Sequence, residues 1–300
     1  MSAPPGSSSV PRFRTVSLLT DYGTTDEFVG VVKAVIRDLA PHVGVIDLTH
    51  EITPFDVRAG ALALARCIGY VPSGVVMAVV DPGVGTDRRS VAVEVAQGAG
   101  VLIGPDNGLL APAVAMAGGA ERAVELTNTE FHLEAPGATF DGRDVFAPVA
   151  AHLCNGVDLL ELGDEIDPVL MVPGTVPLPR DDGDTIVTEV LWVDRFGNCQ
   201  LNVGPDDLEG WDDHVQLRIG SPSDPAGTTI RTAVRATSFA GIDGGGLGLV
   251  LDSYGMFAVC LDRRSAAEEL RIAAGDQVVL VPLTDGPPTP STPVSIGPTR

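Results

Sequence analysis

VSLLTDYGTTDEFVGVVKAVIRDLAPHVGVIDL, residues Val16 to Leu48, holds one full cycle of the pattern that decides the fold. Val16 to Leu19 reads as a short apolar strand, Asp26 to Leu39 carries apolar residues at helical spacing, and Val43 to Leu48 returns to a β-branched run. A second cycle follows, with a helix expected from about Phe55 to Ile68 and a strand from Val75 to Val80. Repeated β-α-β predicts a mainly parallel sheet covered on both faces, because each crossover lays a helix against the sheet. Strands at Val91 to Val95 and Val101 to Ile103, with helical segments at Asn107 to Met116 and Arg143 to Leu153, complete an N-terminal α/β sandwich domain over residues 13–172.

Around Pro168 the texture changes, and the stretch MVPGTVPLPRDDGD is rich in Pro, Gly and Asp. Beyond it, Ile186 to Val193, Val215 to Ile219, Ile230 to Ala236, Leu247 to Leu251, Phe257 to Leu261 and Gln277 to Val281 are strand-like and separated by turns. A smaller antiparallel β-barrel domain over 173–284 is therefore expected, with flexible tails at 1–12 and 285–300.

Composition narrows the function. The 300 residues are 44% hydrophobic with a mean hydropathy of +0.23, enough for two real cores. Charged residues, Gly or Pro interrupt every apolar run before the roughly 18 residues of a membrane span. The opening MSAPPGSSSVPRFR has neither the basic start nor the apolar middle of a secretory signal. Forty acidic against 19 basic residues give a net charge of −21, which disfavours nucleic acid and anionic lipid as partners. Cys67, Cys154, Cys199 and Cys260 are scattered, which suggests neither a disulfide framework nor a zinc site and fits the cytoplasm. His42, His50, His132, His152 and His214 show no metal-ligand spacing, so no metal is expected.

Polar clusters in the first domain follow strands, where open α/β sheets place their ligand crevice. In TDYGTTD, Asp21 directly follows a strand and suits a ribose diol, whereas Asp26 or Thr25 could serve simply as a helix cap. In DPGVGTDRR, the Gly-rich turn can fold back so that Arg88 meets Asp81 and keeps it anionic, in a catalytic or a purely structural pair. PDNGLL reads as a turn, and in ATFDGRDVFAP Asp144 reads as structural while Asp141 is the pocket candidate. WVDRFGNCQLN offers Asp194, Phe196 and Asn198, and LDSYGMF offers Ser253 and Tyr254, although ordinary hairpin turns use the same residues.

Taken in order, TDYGTTD, ITPFDV, VVDPGVGT with Arg88, PDNGLL, TFDGRDVFAP, VDRFGN and the DSYG turn resemble the S-adenosylmethionine hydroxide adenosyltransferases, relatives of the SAM-dependent fluorinase and chlorinase. The resemblance extends from about Val16 to Val281. It implies a homotrimer whose site lies between the α/β domain of one subunit and the β domain of its neighbour. By resemblance, Asp21 grips both ribose hydroxyls and Phe55 lies against the nucleoside. Asp194 pairs with the methionine ammonium, Ser253 binds its carboxylate and Asn198 reads the adenine edge. Asp26, Phe196 and Tyr254 lie in the same motifs and are grouped with the substrate-binding residues. Asp81 and Arg88 resemble two members of an Asp-Arg-His set that positions water. The third departs, because the family pattern F-H-G-R-D reads Phe140-Asp141-Gly142-Arg143-Asp144 here.

The implied reaction is hydrolysis of S-adenosyl-L-methionine (SAM) to adenosine and L-methionine, with SAM as substrate and no cofactor. Water attacks C5′ in line with the sulfonium leaving group while Asp81 accepts its proton. Two alternatives stand beside it. A halogenase would use halide as the nucleophile, which an ionised Asp81 would repel. A SAM or adenosine binding protein would keep the binding positions and lack turnover.

Overall fold

The computed structural model describes residues 11–220 and 228–283. The chain divides between Val176 and Pro177 into two compact units. In the first, β1 (Thr15–Thr20), α1 (Phe28–Leu39), β2 (Gly44–Thr49), α2 (Val57–Ile68) and β3 (Gly74–Val79) form two successive β-α-β units. They are followed by β4 (Ser90–Val95), β5 (Gly100–Pro105), α3 (Ala111–Met116), β6 (Ala120–Glu125), α4 (Ala147–Cys154) and β7 (Asp164–Ile166). Among the described residues these strands make one seven-stranded sheet, ordered β2-β1-β3-β5-β4-β6-β7.

Strand β3 is buried along its whole length, so its sequence is continuously apolar and its two faces separate by the period of two. Val75, Met77 and Val79 join the core that includes Val32 and Ile36 of α1 and Val149 and Leu153 of α4. Val76, Ala78 and Val80 join the opposite core, with Leu64 of α2 and Ala113 and Val114 of α3. The parallel pairings are β2–β1, β1–β3 and β3–β5. Beyond β5 the sheet turns antiparallel through β4, β6 and β7. The reason lies in the link from β4 to β5. Ala96 to Ala99 is far too short for a parallel crossover, and Ala96, Gln97 and Gly98 all take positive φ to reverse the chain.

Several helix starts differ from the sequence expectation. α1 begins at Phe28, its N-cap is Glu27, and no side chain caps it. α2 begins at Val57, with Asp56 capping the N–H of Ala59 at 2.8 Å. α3 begins only at Ala111, because Asn107 holds a turn by donating to Val80 O at 2.9 Å and accepting from Leu109 N at 3.1 Å. Ahead of α4 the chain makes a wide π-helical turn, Gly142–Phe146. Arg12, expected in a flexible tail, instead pairs with Glu94, and its N–H donates to Cys154 O at 2.9 Å. The other tail residues, 1–10 and 285–300, lie outside the described residues.

The second unit is a closed barrel. β9 (Ile186–Val193), β10 (Cys199–Leu201), β11 (His214–Ile219), β12 (Thr229–Ala236), β13 (Leu247–Leu251), β14 (Phe257–Leu261) and β15 (Gln277–Pro282) run in the order β10-β14-β13-β12-β11-β15-β9, and a β9–β10 pairing closes the ring. β8 (Arg180–Asp181) adds to β9 from outside. All neighbours are antiparallel except β12 and β13. Inward residues such as Val190, Leu217, Leu249, Val259 and Leu280 fill the interior. A short helix, α5 (Ala266–Leu270), which strand periodicity does not reveal, is capped by Ser265 on the N–H of Glu268 at 3.0 Å. Among the described residues no helix is long and apolar enough to cross a membrane.

Candidate active site

The ends of β1 and β3 and the loops that follow them, with Pro54 and Phe55 beyond β2 and the segment Thr139 to Gly142, open a cavity of about 460 Å3 in the first unit. Asp21, Asp26, Phe55, Asp81 and Asp141 all line it. Asp21 leaves β1 with its N–H on Val79 O, and its Oδ2 accepts the N–H of Phe55 at 2.9 Å. Phe55 takes a left-handed φ of 69° to present that N–H, and its ring stands at the rim, 72% exposed. A non-glycine residue held there is strained, and such strain clusters at functional sites.

Asp81 follows β3, and the Gly-rich turn behind it folds back as its spacing suggests. Thr86 Oγ1 donates to Gly83 O at 2.6 Å within the turn. Arg88 Nε then lies 3.0 Å from each carboxylate oxygen of Asp81. Arg88 Nη2 bridges Asp81 Oδ2 and Asp141 Oδ2, and Nη1 donates to Ser90 Oγ at 2.5 Å. The side chains of Asp81, Arg88 and Asp141 are 6%, 12% and 16% exposed. One partly buried guanidinium is thus clamped between two carboxylates. Burial by itself would lower the pKa of Arg88, but its bonds to Asp81 and Asp141 outweigh this and raise it, so the cation persists. The loops meet because Gly85, at φ +76°, passes so close to Ala138 that a Cβ there would lie 2.6 Å from its carbonyl oxygen.

Asp141 does not cap the following helical turn, since its side chain makes no cap hydrogen bond and turns to Arg88 instead. The neighbouring Asp144 is buried and held by Arg143 at 2.6 and 2.8 Å, a structural pair. Asp106 of PDNGLL is likewise consumed by structure, accepting from Arg89 and from Val172 N. His132 is half-buried, and its Nε2 is a buried atom without a hydrogen-bond partner. Burial lowers its pKa, with Asp141 opposing that shift.

Tyr22 is a site residue that sequence reasoning passed over, although it sits inside TDYGTTD. Its ring packs against Phe28 and Phe140 at centroid distances of 5.9 and 5.7 Å. Burial, and then the charges of Asp21, Asp81 and Asp141, push its hydroxyl above the ordinary phenol range, so it stays protonated as a donor. Nothing in the local sequence says which way this side chain turns.

In the second unit a cavity of about 330 Å3 is lined by Asp194, Asn198, Ser253 and Tyr254. The β9–β10 turn is held by Asp194, whose Oδ1 accepts from the N–H groups of Phe196 and Asn198 at 2.8 and 2.9 Å. Its Oδ2 accepts from Asn198 Nδ2 at 2.8 Å, so the two side chains present one fixed polar edge. Gln200, Asp252 and Trp192 also line this cavity and were not singled out from sequence. Asp252 orders the β13–β14 turn by accepting from Tyr254 N at 2.8 Å and Met256 N at 3.1 Å. Phe196 is 77% exposed and borders a neighbouring depression with Asn198 and Phe239. Among the described residues no group of His, Cys, Asp or Glu is arranged to hold a metal ion.

Comparison with known proteins gives concordant results. The profile of the SAM hydroxide adenosyltransferase N-terminal domain matches residues 16–163, and that of the C-terminal domain matches residues 188–279. A protein of Salinispora tropica named (R)-S-adenosyl-L-methionine hydrolase is 42% identical over 267 residues, covering 88% of this chain and 96% of the relative. A protein of an Actinoplanes species named fluorinase is 30% identical over 230 residues, covering 68% of this chain and 77% of its own. The crystal structure of an uncharacterized conserved protein from Thermotoga maritima superposes with a TM-score of 0.79 at 33% identity, covering 89% of this chain and 99% of that one.

Proposed function

From membership of the SAM hydroxide adenosyltransferase family, to which this chain belongs, we infer that it is an enzyme that hydrolyses S-adenosyl-L-methionine to adenosine and L-methionine. The observation that carries the mechanism is the Asp81–Arg88–Asp141 clamp on the wall of the Asp21 pocket.

The sulfonium is already an excellent leaving group, so the protein needs only to position water, exclude competitors and accept a proton. Asp21 takes the ribose diol. Asp81, held in place by Arg88, accepts a hydrogen bond from a water in line with the C5′–sulfur bond. The water oxygen forms the new bond to C5′, the C5′–sulfur electron pair returns to sulfur, and the surplus proton passes to Asp81. Asp141 shares Arg88 at the position where the family pattern has histidine. Phe55 and Asp26 border the nucleoside, while Asp194, Asn198, Ser253, Tyr254 and Phe196 serve the methionine and adenine ends. No cofactor is required by this chemistry.

Two carboxylates around one guanidinium leave a net negative wall, which suits a sulfonium and disfavours a halide nucleophile. At about 4 Å and an effective dielectric near 20, one uncompensated charge repels an anion by ~4 kcal/mol. This favours hydrolysis over halogenation.

Three finer points belong to the same proposal. The substrate is the epimer with R configuration at sulfur, as the name of the Salinispora relative suggests. The working form is a homotrimer in which each active site draws the Asp21 group from one protomer and the Asn198 group from the next. The location is cytoplasmic, supported by four cysteines that are all free thiols. Incubation with each purified sulfur epimer of SAM, in the presence of chloride or fluoride, followed by chromatography, tests the reading. Adenosine from the R epimer is expected. Halo-adenosine would make the enzyme a halogenase, unchanged SAM would make it a binding protein, and equal turnover of both epimers would remove the stereochemical claim.

A further inference from the structure

Behind the Asp21 pocket a polar chain runs from α1 through β2 to the end of β1, and the mechanism above makes no use of it. Lys33, the only lysine of the sequence, donates to Asp47 Oδ2 at 2.8 Å. Asp47 Oδ1 lies 3.0 Å from His50 Nε2, and His50 Nδ1 lies 2.9 Å from Thr20 Oγ1. Thr20 Oγ1 in turn accepts the N–H of Tyr22 at 3.2 Å. Both His50 and Thr20 are buried.

The partners set the direction of each bond. Burial by itself would raise the Asp47 carboxyl, but hydrogen bonds from Lys33 and His50 outweigh it and hold it below the usual carboxylate range, so Asp47 is an acceptor. The proton between them is therefore on Nε2 of His50. In the tautomer with the proton on Nε2, Nδ1 accepts the Thr20 hydroxyl, whose oxygen accepts the Tyr22 N–H. His50 also reaches the same bend through its backbone, accepting the N–H of Gly23 at 2.7 Å. Asp21 and Tyr22 are thus enclosed between two attachments to one buried histidine. At the mouth of the pocket, Phe55 N–H holds the Asp21 carboxylate itself.

We propose that His50 is a positioning residue which, through Thr20, fixes the bend that aims Asp21 at the ribose hydroxyls. A carboxylate that grips two adjacent hydroxyls works only within a narrow range of position and angle, and a bend clipped at both ends supplies that constraint. This proposal rests on the reading of Asp21 as the ribose ligand.

The test is binding of adenosine against 2′,3′-dideoxyadenosine, read by calorimetry on the full-length protein, with SAM turnover measured in parallel. The wild type is expected to prefer adenosine by tenfold or more. His50→Leu and Thr20→Val are expected to bring that preference close to unity, whereas Thr20→Ser, which restores the hydroxyl, keeps most of it. In an Asp21→Ala background the substitution at His50 should have no further effect on the preference. If His50→Leu does not fold, Thr20→Val and Thr20→Ser carry the comparison. A wild-type preference in both His50→Leu and Thr20→Val, or a Thr20→Ser variant as impaired as Thr20→Val, overturns the proposal. A wild type that does not distinguish the two nucleosides overturns both the proposal and the ribose role of Asp21. A wild type that prefers adenosine yet leaves SAM intact overturns the hydrolase reading alone.

Discussion

At the scale of single residues, the arrangement of Arg88 decides what the neighbouring acids can do. Its guanidinium donates to Asp81, Asp141 and Ser90, which ties the two carboxylates to one cation. Asp81→Asn keeps the shape but removes the charge that the proposed mechanism assigns to orienting and deprotonating water, and a positioned base contributes about 10²–10⁴-fold. Turnover should fall by that order while adenosine binding, measured by calorimetry, stays within a few fold. Parallel loss of both would make Asp81 a binding or structural residue. Asp141→His introduces the residue of the family pattern beside the same guanidinium. Steady-state kinetics should show retained hydrolysis, and its disappearance would mean that a carboxylate is needed there.

At the scale of elements, close approach of backbones does as much as side-chain chemistry. The π-helical turn places Gly142 so near Tyr22 that a Cβ would lie 2.2 Å from the hydroxyl oxygen. Tyr22 is wedged between Phe28 and Phe140 and cannot move without disturbing them. Gly142→Ala is therefore expected to cost about 1–3 kcal/mol, the usual range for overpacking, and to lower turnover as the phenol is pushed aside. Unchanged kinetics and an unchanged melting temperature would show that Tyr22 shifts freely. Across the antiparallel half of the sheet, Glu94 of β4 is held by Arg122 of β6 and by Arg12. The bond to Arg122 is the largest influence and holds the Glu94 carboxyl below its ordinary value of 4.5, against the opposing effect of burial. A carboxylate with a depressed folded pKa contributes stability that is complete above the ordinary value and is lost as pH falls through the folded one. Glu94→Gln should lower stability at pH 7 and flatten the acid side of the stability curve below about pH 4.5. An acid limb identical to wild type in urea unfolding would assign it to other carboxylates.

At the scale of the molecule, the candidate binding groups fall into two sets on two units: Asp21, Phe55 and Asp81 line one cavity, while Asp194, Asn198 and Ser253 line another. If neighbouring protomers combine these sets, chains lacking one set can help chains lacking the other. Asp21→Ala and Asn198→Ala proteins, each expected to be inactive alone, should regain part of the wild-type activity when mixed under subunit exchange. No recovery, once mixed oligomers are demonstrated by mass spectrometry, would put a complete site within a single protomer.

The sequence alone determined what depends on neighbours along the chain. Its alternating periods marked β1, α1, β2, α2 and β3 as a β-α-β series, because burial on both faces leaves a continuous apolar run such as Val75 to Val80. The short Gly-rich link likewise made the meeting of Arg88 with Asp81 legible, since only seven positions separate them. Tertiary structure decided the rest. Asp141 reaches the same guanidinium from 53 positions away because Gly85 lets one loop press on the backbone of another. It also set the N–H of Phe55 on Asp21, brought Tyr22 inward and linked His50 to Thr20. Periodicity reports which face of an element is buried; which buried or loop residues then meet depends on how the chain crosses itself, and no local pattern encodes that crossing.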